Sequence, residues 1–252
     1  MQNIGAHCAT MLCIVNLCWR FMKSTAEQCS MSEEPEFGLF DRSSETHVTA
    51  RDLPHWFQPN VAVFVTFQTA DSLPKSAVLR MDAEIRDWFQ RHGQVIPNSV
   101  PLPDVSVVRT DLRDDYRRLK ARLLHWELDS YHGECVLRDP EISAIVMHAL
   151  RHFDTDRYDL DCAIVMPNHV HLLAQFRLPT TCRKQCRSWL TFTARQINLS
   201  LQRTGAFWRS EAFDHLVRSV EQFQYLQKYI EDNGSRARLK PGHYRFWKRG
   251  LP

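Results

Sequence analysis

The residues with the clearest chemical potential are two histidines, His169 and His171, in the stretch Val-Met-Pro-Asn-His-Val-His-Leu-Leu at 165–173. Side chains alternate across a β-strand, so both imidazoles project from one face while Val170 points the other way. Two neighbouring imidazoles form two arms of a metal site, but the same spacing is common in surface histidine pairs. The pair alone leaves both interpretations open.

A second candidate is a tyrosine in a helix predicted from about residue 220 to 232. Tyr229 and Asn233 are one helical turn apart and therefore share a face. Tyr225 lies four residues earlier and could share that face, and a simple rim position on an amphipathic helix remains an alternative for Tyr229. The predicted buried stripe beside them, which leaves the Tyr229 hydroxyl free to face the histidines, consists of Val220, Phe223, Leu226 and Ile230.

The elements that must position these residues predict a protein of the α+β class. The segment 61–67 is rich in β-branched and aromatic residues, as in a buried strand, and the apolar runs 158–166 and 169–176 flank Pro-Asn as in a β-hairpin. Amphipathic helices are predicted from Pro74, over 116–126, after Asp139-Pro140 and over about 181–202. This order predicts an antiparallel sheet with helices packed on it.

In these motifs the chain resembles the REP-associated tyrosine transposases, which are single-tyrosine HUH enzymes of the insertion-sequence type that act on single-stranded DNA. The histidine segment carries the resemblance, and the segments 64–67, 133–140, 188–198 and 205–218 agree with the family in order. Tyr-Ile-Glu-Asp-Asn at 229–233 matches the nucleophile helix, but Gly234 stands where the family has proline. A glycine can also end a helix, by taking the left-handed conformation. The resemblance covers about residues 56–239 and implies a ferredoxin-like, HUH-endonuclease-like sandwich.

The resemblance implies a metal-dependent, site-specific single-stranded DNA endonuclease and strand transferase that cleaves and rejoins hairpin-forming repeat DNA. Tyr229 would form a 5′-phosphotyrosine link, and His169, His171 and the amide oxygen of Asn233 would hold Mg²⁺ or Mn²⁺. Expected partners are single-stranded and hairpin DNA, with no membrane and no small-molecule cofactor, in a cytoplasmic, nucleoid-associated protein whose oligomeric state is open.

Two alternatives to this enzyme remain. One is a DNA-binding relic that has lost catalysis, for which the glycine at 234 argues. The other is a zinc hydrolase in which the histidine pair activates water. That hydrolase would need a third His, Asp or Glu ligand and would not need Tyr229.

The charge distribution fits a nucleic-acid partner. The whole chain has a net charge of +3, but residues 177–252 carry 15 Lys and Arg against 5 Asp and Glu. The segment 243–249 interleaves aromatics with cations, as stacking on unpaired bases requires, although its aromatic residues could instead pack on the core. The candidate DNA contacts are Arg183, Lys184, Arg187, Trp208, Arg209, Arg236, Arg238, Arg245, Trp247 and Lys248.

The domain prediction has three parts: a disordered or non-native extension at 1–52, the HUH-type domain at 53–240, and a basic aromatic tail at 241–252. Met22 or Met31 is a plausible start, and the apolar stretch at 4–22 is too polar and short for a membrane span. Only 8 glycines occur, without a phosphate-binding glycine loop, which excludes kinase-like and Rossmann chemistry. No Cys-x2-Cys pair occurs among the 8 cysteines, so no zinc ribbon is expected and a reducing compartment fits.

Overall fold

The computed structural model describes residues 37–50, 54–96, 103–178, 180–210 and 212–251. The described chain divides into two compact units, a smaller one at 75–127 and a larger one formed by 37–74 and 128–251. Residues 1–36 of the predicted extension lie outside the described residues, and so do residues 97–102, which belong to a proline-rich segment. None of the helices in the described part is long and apolar enough to cross a bilayer.

The smaller unit has a core made by amphipathic helices. Helix α1 (Lys75–Arg91) buries the residues Met81, Ile85, Trp88 and Phe89, whose spacing predicted one apolar face. Helix α2 (Arg113–Leu128) contributes Tyr116, which is fully buried with its ring centroid 5.6 Å from Trp88 and 5.4 Å from Phe89. Aromatic packing of this kind gives the smaller unit its own hydrophobic cluster.

The larger unit is built on a five-stranded sheet in which every neighbouring pair is antiparallel. A separate two-stranded sheet pairs β1 (His47–Ala50) with β2 (Pro54–Phe57). The large sheet has the order β6-β3-β5-β4-β7, formed by β3 (Ala62–Gln68), β4 (Tyr158–Val165), β5 (His169–Phe176), β6 (Phe213–Leu216) and β7 (Arg245–Lys248). The predicted α+β class with an antiparallel sheet is confirmed.

Helices cover both faces of this sheet. Helices α3 (Pro140–Arg151) and α4 (Cys182–Ser200) pack on one face, together with Val170 and Leu172 of β5. Helix α5 (Val220–Arg236) covers the other face, together with Leu173. Because side chains alternate along β5, its two histidines lie on the face that α5 covers.

The start of α3 follows the sequence prediction. The Asp139 side chain accepts hydrogen bonds from the backbone N–H groups of Glu141 and Ile142, and Pro140 occupies the first helical position. This cap matters for the site, because the turn before it runs beside the β4–β5 connection: the backbone N–H of Leu137 donates to the Pro167 carbonyl at 3.2 Å.

Both ends of the predicted domain differ in the structure. Phe37 is buried and stacks on Phe223 at 5.4 Å, and the Gly38 N–H donates to the Gln175 side chain at 2.7 Å, so ordered structure begins before residue 53. At the other end, β7 pairs with β4 along its whole length. The segment predicted as a tail from 241 therefore contributes an edge strand of the sheet. Alternate side chains of this strand pack on opposite faces of the sheet.

Candidate active site

The two histidines lie at the end of the sheet where β5 begins. Both rings are buried, with 0% exposure, and their centroids are 4.7 Å apart with 67° between the ring planes. The ring of Phe64, on the neighbouring strand β3, stacks under His171 at 5.4 Å. They are therefore not a pair of surface histidines, and burial of two polar rings needs polar partners.

Hydrogen bonds orient both imidazoles. The Nδ1 atom of His169 lies 2.8 Å from the Asn168 side-chain oxygen, and the Asn168 amide nitrogen donates to the His132 carbonyl at 3.0 Å. Since that amide oxygen can only accept, Nδ1 of His169 carries a proton. The Thr66 hydroxyl lies 2.7 Å from Nδ1 of His171. The other nitrogen of that ring, Nε2, points toward α5.

Thr66 and Asn168 belong to the candidate site by their contacts with the histidines, and the sequence analysis missed both. Thr66 lies directly opposite His171 in the β3–β5 register, and Gln68 lies opposite His169. The register between distant strands cannot be predicted from the sequence of either strand alone, so no local pattern indicated that Thr66 would contact His171. Asn168 did have one, because its amide directly precedes the first histidine of the motif. Such partners fix the tautomer and orientation of ligand histidines.

Tyr229 faces the histidines from α5. Its hydroxyl lies 3.4 Å from Nε2 of His171, and the two ring centroids are 5.3 Å apart. Burial, followed by the charge of Asp129, raises the pKa of the Tyr229 phenol well above its ordinary value of 10. The phenol is consequently protonated at neutral pH and must lose its proton when it acts as a nucleophile.

Asn233 lies one turn later on α5 and is buried beside the same phenol. A hydrogen bond with the Asn233 side chain lowers the pKa of Tyr229, opposing the effect of burial. The structure thus brings all four predicted residues of the catalytic and metal set to one side of the sheet.

Tyr225 shares the face of α5 that carries Tyr229, as the helical spacing allowed. The two phenol rings are nearly parallel, with centroids 6.5 Å apart and 19° between the planes. Tyr229 is the tyrosine whose hydroxyl makes the 3.4 Å contact with His171. Tyr225 lies one helical turn before Tyr229.

Gly234 has a different role from the one expected. Helix α5 continues through it to Arg236, and Arg238 is the residue that takes the left-handed conformation, with φ at 55°. A Cβ atom on Gly234 would lie 2.4 Å from the Tyr244 ring. Gly234 therefore does not end the helix, although a glycine can do so. The glycine is required because Tyr244 packs directly on the helix backbone, and the helix that carries Tyr229 and Asn233 is regular.

Several candidate DNA contacts are engaged within the protein. Trp208 is buried, packs edge-on against Phe67 at 4.9 Å, and donates its indole N–H to the Thr193 hydroxyl at 2.8 Å. Its ring is therefore part of the core and is not available to stack on a base. The tail residues make contacts of their own: Arg245 donates to the Pro140 carbonyl at 3.0 Å, Trp247 lies under the Arg151 guanidinium at 5.1 Å, and Lys248 pairs with Glu231 at 3.4 Å.

The remaining candidate contacts are exposed to solvent. They lie on α4, in the connector that follows it, and at the end of α5, and they are Arg183, Lys184, Arg187, Arg209, Arg236 and Arg238.

The donor set at the site suits a divalent cation that takes its other ligands from phosphate and water. Two imidazoles and the Asn233 amide oxygen carry no net charge, as expected where the substrate brings the negative charge. Among the described residues, no group of three or more His, Cys, Asp or Glu side chains is placed to hold a metal. The zinc hydrolase alternative, which needs a third such ligand, therefore lacks its ligand within this part of the chain.

The fold and site together define an antiparallel α+β sandwich with a buried histidine pair facing a helical tyrosine. No protein-family model and no curated protein sequence matches the chain. Among solved structures, the chain is similar to that of the REP-associated tyrosine transposase bound to a REP hairpin, with a TM-score of 0.40 and 10% identity over 74% of each chain. At that TM-score the likeness adds nothing to a functional assignment, which has to come from the geometry above.

Proposed function

We propose that the protein is a metal-dependent single-stranded DNA endonuclease and transposase that cleaves and rejoins hairpin-forming repeat DNA through a covalent 5′-phosphotyrosine intermediate. The supporting observation is the position of the Tyr229 hydroxyl, 3.4 Å from Nε2 of His171, whose ring centroid is 4.7 Å from that of His169. In this proposal Tyr229 is the nucleophile and the two histidines are cation ligands, and the three side chains lie on one face of the sheet. The net charge of +10 over residues 177–252, from 15 basic and 5 acidic residues, supports a polyanionic substrate.

His169, His171 and Asn233 would hold the Mg²⁺ or Mn²⁺ ion. When bound, the ion would polarise the scissile phosphate and stabilise negative charge in the transition state. Asn168 and Thr66 would hold the two imidazoles in the orientation that ligation requires, and Asn168, whose oxygen only accepts, would also place a proton on Nδ1 of His169. The stacked ring of Phe64 keeps water from one side of His171.

Tyr229 acts as the nucleophile. Its oxygen forms a bond to phosphorus while the bond from phosphorus to the 3′ oxygen breaks, and the departing oxygen takes up a proton to give a free 3′-hydroxyl. The phenol gives up its proton to a base or to water as this bond forms. A second 3′-hydroxyl can reverse the attack, so strands are rejoined without ATP.

A regular α5 also bears on the relic alternative. The argument for lost activity was the glycine at 234, yet this glycine leaves Tyr229 and Asn233 one turn apart in an unbroken helix. The glycine at 234 is then not an argument against catalysis.

The test is a covalent-adduct assay. Wild-type protein, Tyr229→Phe and the matched control Tyr225→Phe are incubated with a labelled hairpin oligonucleotide and Mn²⁺, then run on a denaturing gel. We expect an adduct with the wild type and with the control, and none with Tyr229→Phe, which should still bind the oligonucleotide. An adduct that persists in Tyr229→Phe would place the nucleophile elsewhere. Cleavage without an adduct would favour a water-activating enzyme, and binding with neither would favour a non-catalytic protein.

A further inference from the structure

The histidine pair is closed to solvent in the structure. Both rings have 0% exposure, so neither a cation nor a phosphate group can touch them until a neighbouring side chain moves. Phe64 and Thr66 adjoin the pair from β3, and Tyr229 adjoins it from α5. These three residues belong to regular elements. A further ring beside the pair comes from a loop, at Tyr131, three residues after the end of α2.

Tyr131 lies on the solvent side of His169. The two rings are nearly parallel, with 13° between their planes and 6.5 Å between their centroids. Tyr131 is partly exposed, whereas His169 is not exposed at all. The hydroxyl group of Tyr131 nevertheless points inward, because its oxygen atom is buried. The phenol ring therefore covers His169.

The buried hydroxyl of Tyr131 has no hydrogen-bond partner among the residues that the structure describes. A buried polar group without a partner is rare in folded proteins, and it opposes the conformation that buries it. Tyr158 shows the usual arrangement, since its buried hydroxyl donates to the Leu150 carbonyl at 2.7 Å. Rotation of the Tyr131 ring toward solvent would hydrate its hydroxyl, so the closed position contains a bias toward opening.

The backbone that carries Tyr131 is fixed, so the side chain can move without it. Tyr131 has a φ of 50°, in the left-handed region, which a residue of this size keeps only where neighbouring contacts impose it. Its N–H donates to the Leu128 carbonyl at 3.0 Å. The next carbonyl, of His132, accepts from Asn168 at 3.0 Å, and Asn168 is also the residue that orients His169. Opening is therefore a rotation of one side chain above a fixed loop.

Two opposing effects act on this rotation. An unpaired buried hydroxyl shifts the equilibrium toward the open position by about 5–150-fold. Packing of the ring on the apolar cluster that contains Ile164 and Met166 favours the closed position. A ligand that needs the open position binds with an affinity reduced by the open fraction. The hydroxyl of Tyr131 therefore affects binding at the histidines without contacting the ligand.

We propose that the Tyr131 side chain is a gate over His169, closed in the structure, which rotates toward solvent to admit a divalent cation and a phosphate group to the histidine pair. The identity of these ligands rests on the proposed function, whereas the covering of His169 by Tyr131 does not. In the closed position the ring keeps water from the histidines, as a lid does over an active site.

The test uses two substitutions of Tyr131 that should act in opposite directions. Tyr131→Phe keeps the ring and removes the unpaired hydroxyl, which favours the closed gate, and Tyr131→Ala removes the cover. The matched control Tyr244→Phe removes a hydroxyl from another partly exposed tyrosine of the same apolar cluster. Each protein is treated with diethyl pyrocarbonate, which modifies accessible histidines, without metal or DNA. Peptide mass spectrometry gives the modification rate of His169, with exposed His148 as the internal reference.

We expect His169 to be modified at least about fivefold more slowly in Tyr131→Phe and at least about fivefold faster in Tyr131→Ala, with the wild-type rate in the control. In urea unfolding, Tyr131→Phe should be at least as stable as the wild type, because it loses a hydroxyl that has no partner. An unchanged or faster rate in Tyr131→Phe would overturn the gate, and so would a loss of stability in that variant. If Tyr131→Ala does not fold, the comparison with Tyr131→Phe alone decides.

Calorimetric titration with Mn²⁺ separates the gate from the proposed function. The affinity for Mn²⁺ should be at least about fivefold weaker in Tyr131→Phe and stronger in Tyr131→Ala than in the wild type. Equal affinities would overturn admission of the cation through this gate. A wild type that binds no Mn²⁺, with His169 modification rates that change as expected, would refute the metal-dependent function and leave the gate. Unchanged modification rates in a protein that binds Mn²⁺ would do the reverse.

Discussion

Replacing Gly234 by alanine should destabilise the larger unit, although alanine is the better helix former. In an ordinary helix interior this exchange stabilises by about 0.5–1 kcal/mol. Here the new Cβ atom would lie 2.4, 2.5 and 2.6 Å from three carbons of the Tyr244 ring, so the ring must move. Overpacking of this kind costs about 1–3 kcal/mol, and we expect a net loss of about 1–2 kcal/mol in the free energy of unfolding.

The same substitution should have the opposite sign once the obstacle is removed. In a Tyr244→Ala background the three ring carbons nearest to the methyl group are gone, so Gly234→Ala should then stabilise by about 0.5–1 kcal/mol, the value for helix propensity. The coupling free energy between the two positions is the difference between these effects, about 1.5–3 kcal/mol. Tyr244→Ala is itself destabilising, but the double-mutant cycle subtracts that contribution.

The measurement is urea unfolding followed by circular dichroism for the wild type, both single variants and the double variant. Gln224→Ala, at an exposed position of the same helix, is the control and should change stability by less than about 0.5 kcal/mol. If Gly234→Ala is as stable as the wild type, the Tyr244 ring moves without cost, and close packing is not the reason for glycine at this position. Because Asn233 precedes Gly234, the destabilised variant should also form the DNA adduct more slowly.

Three further predictions test single features of the site and core. Trp208→Phe loses the hydrogen bond to Thr193 and should lower stability by about 1 kcal/mol with unchanged hairpin affinity in a gel shift; the reverse pattern would return Trp208 to the DNA surface. Asn168→Ala should weaken Mn²⁺ binding about 10–100-fold by calorimetry, and an unchanged affinity would show that the His169 tautomer does not matter. Burial raises the pKa of Asp129 to about 7. The fold therefore favours the protonated carboxyl, and the free energy of unfolding falls as the pH rises from about 4 to 7. Asp129→Asn should stabilise the protein by up to about 4 kcal/mol at pH 8 and should not stabilise it at pH 4. Equal effects at both pH values would contradict this.

Local patterns in the sequence predicted the features that depend on local geometry. Strand alternation placed His169 and His171 on one face, helical spacing placed Tyr229 and Asn233 on one face, and Asp139 with Pro140 marked the start of α3. Each of these follows from the period of a single element. The antiparallel α+β class followed from the order of such elements.

Features that depend on distant parts of the chain were not predicted. Thr66 is 105 residues from His171, the ring it orients, and only the strand register brings them together. Trp208, in a connector with cations, has the same sequence pattern whether its ring packs on Phe67 or on a base. The sequence shows that position 234 has no side chain but does not show why. The Tyr244 ring that fills the space belongs to another segment of the chain.

The position of β7 in the chain has a consequence for biosynthesis. Strand β4 has β5 on one side and β7 on the other, and β7 follows Val165 by about 80 residues, which a ribosome adds in roughly 4–16 s at 5–20 residues per second. Throughout that interval the outer backbone groups of β4 are unpaired, and the part of β4 that later pairs with β7, Cys162 to Val165, has only apolar side chains. An open apolar edge of this kind pairs readily with other chains. A nascent chain that stalls before Arg245 is therefore the form of this protein most prone to aggregate.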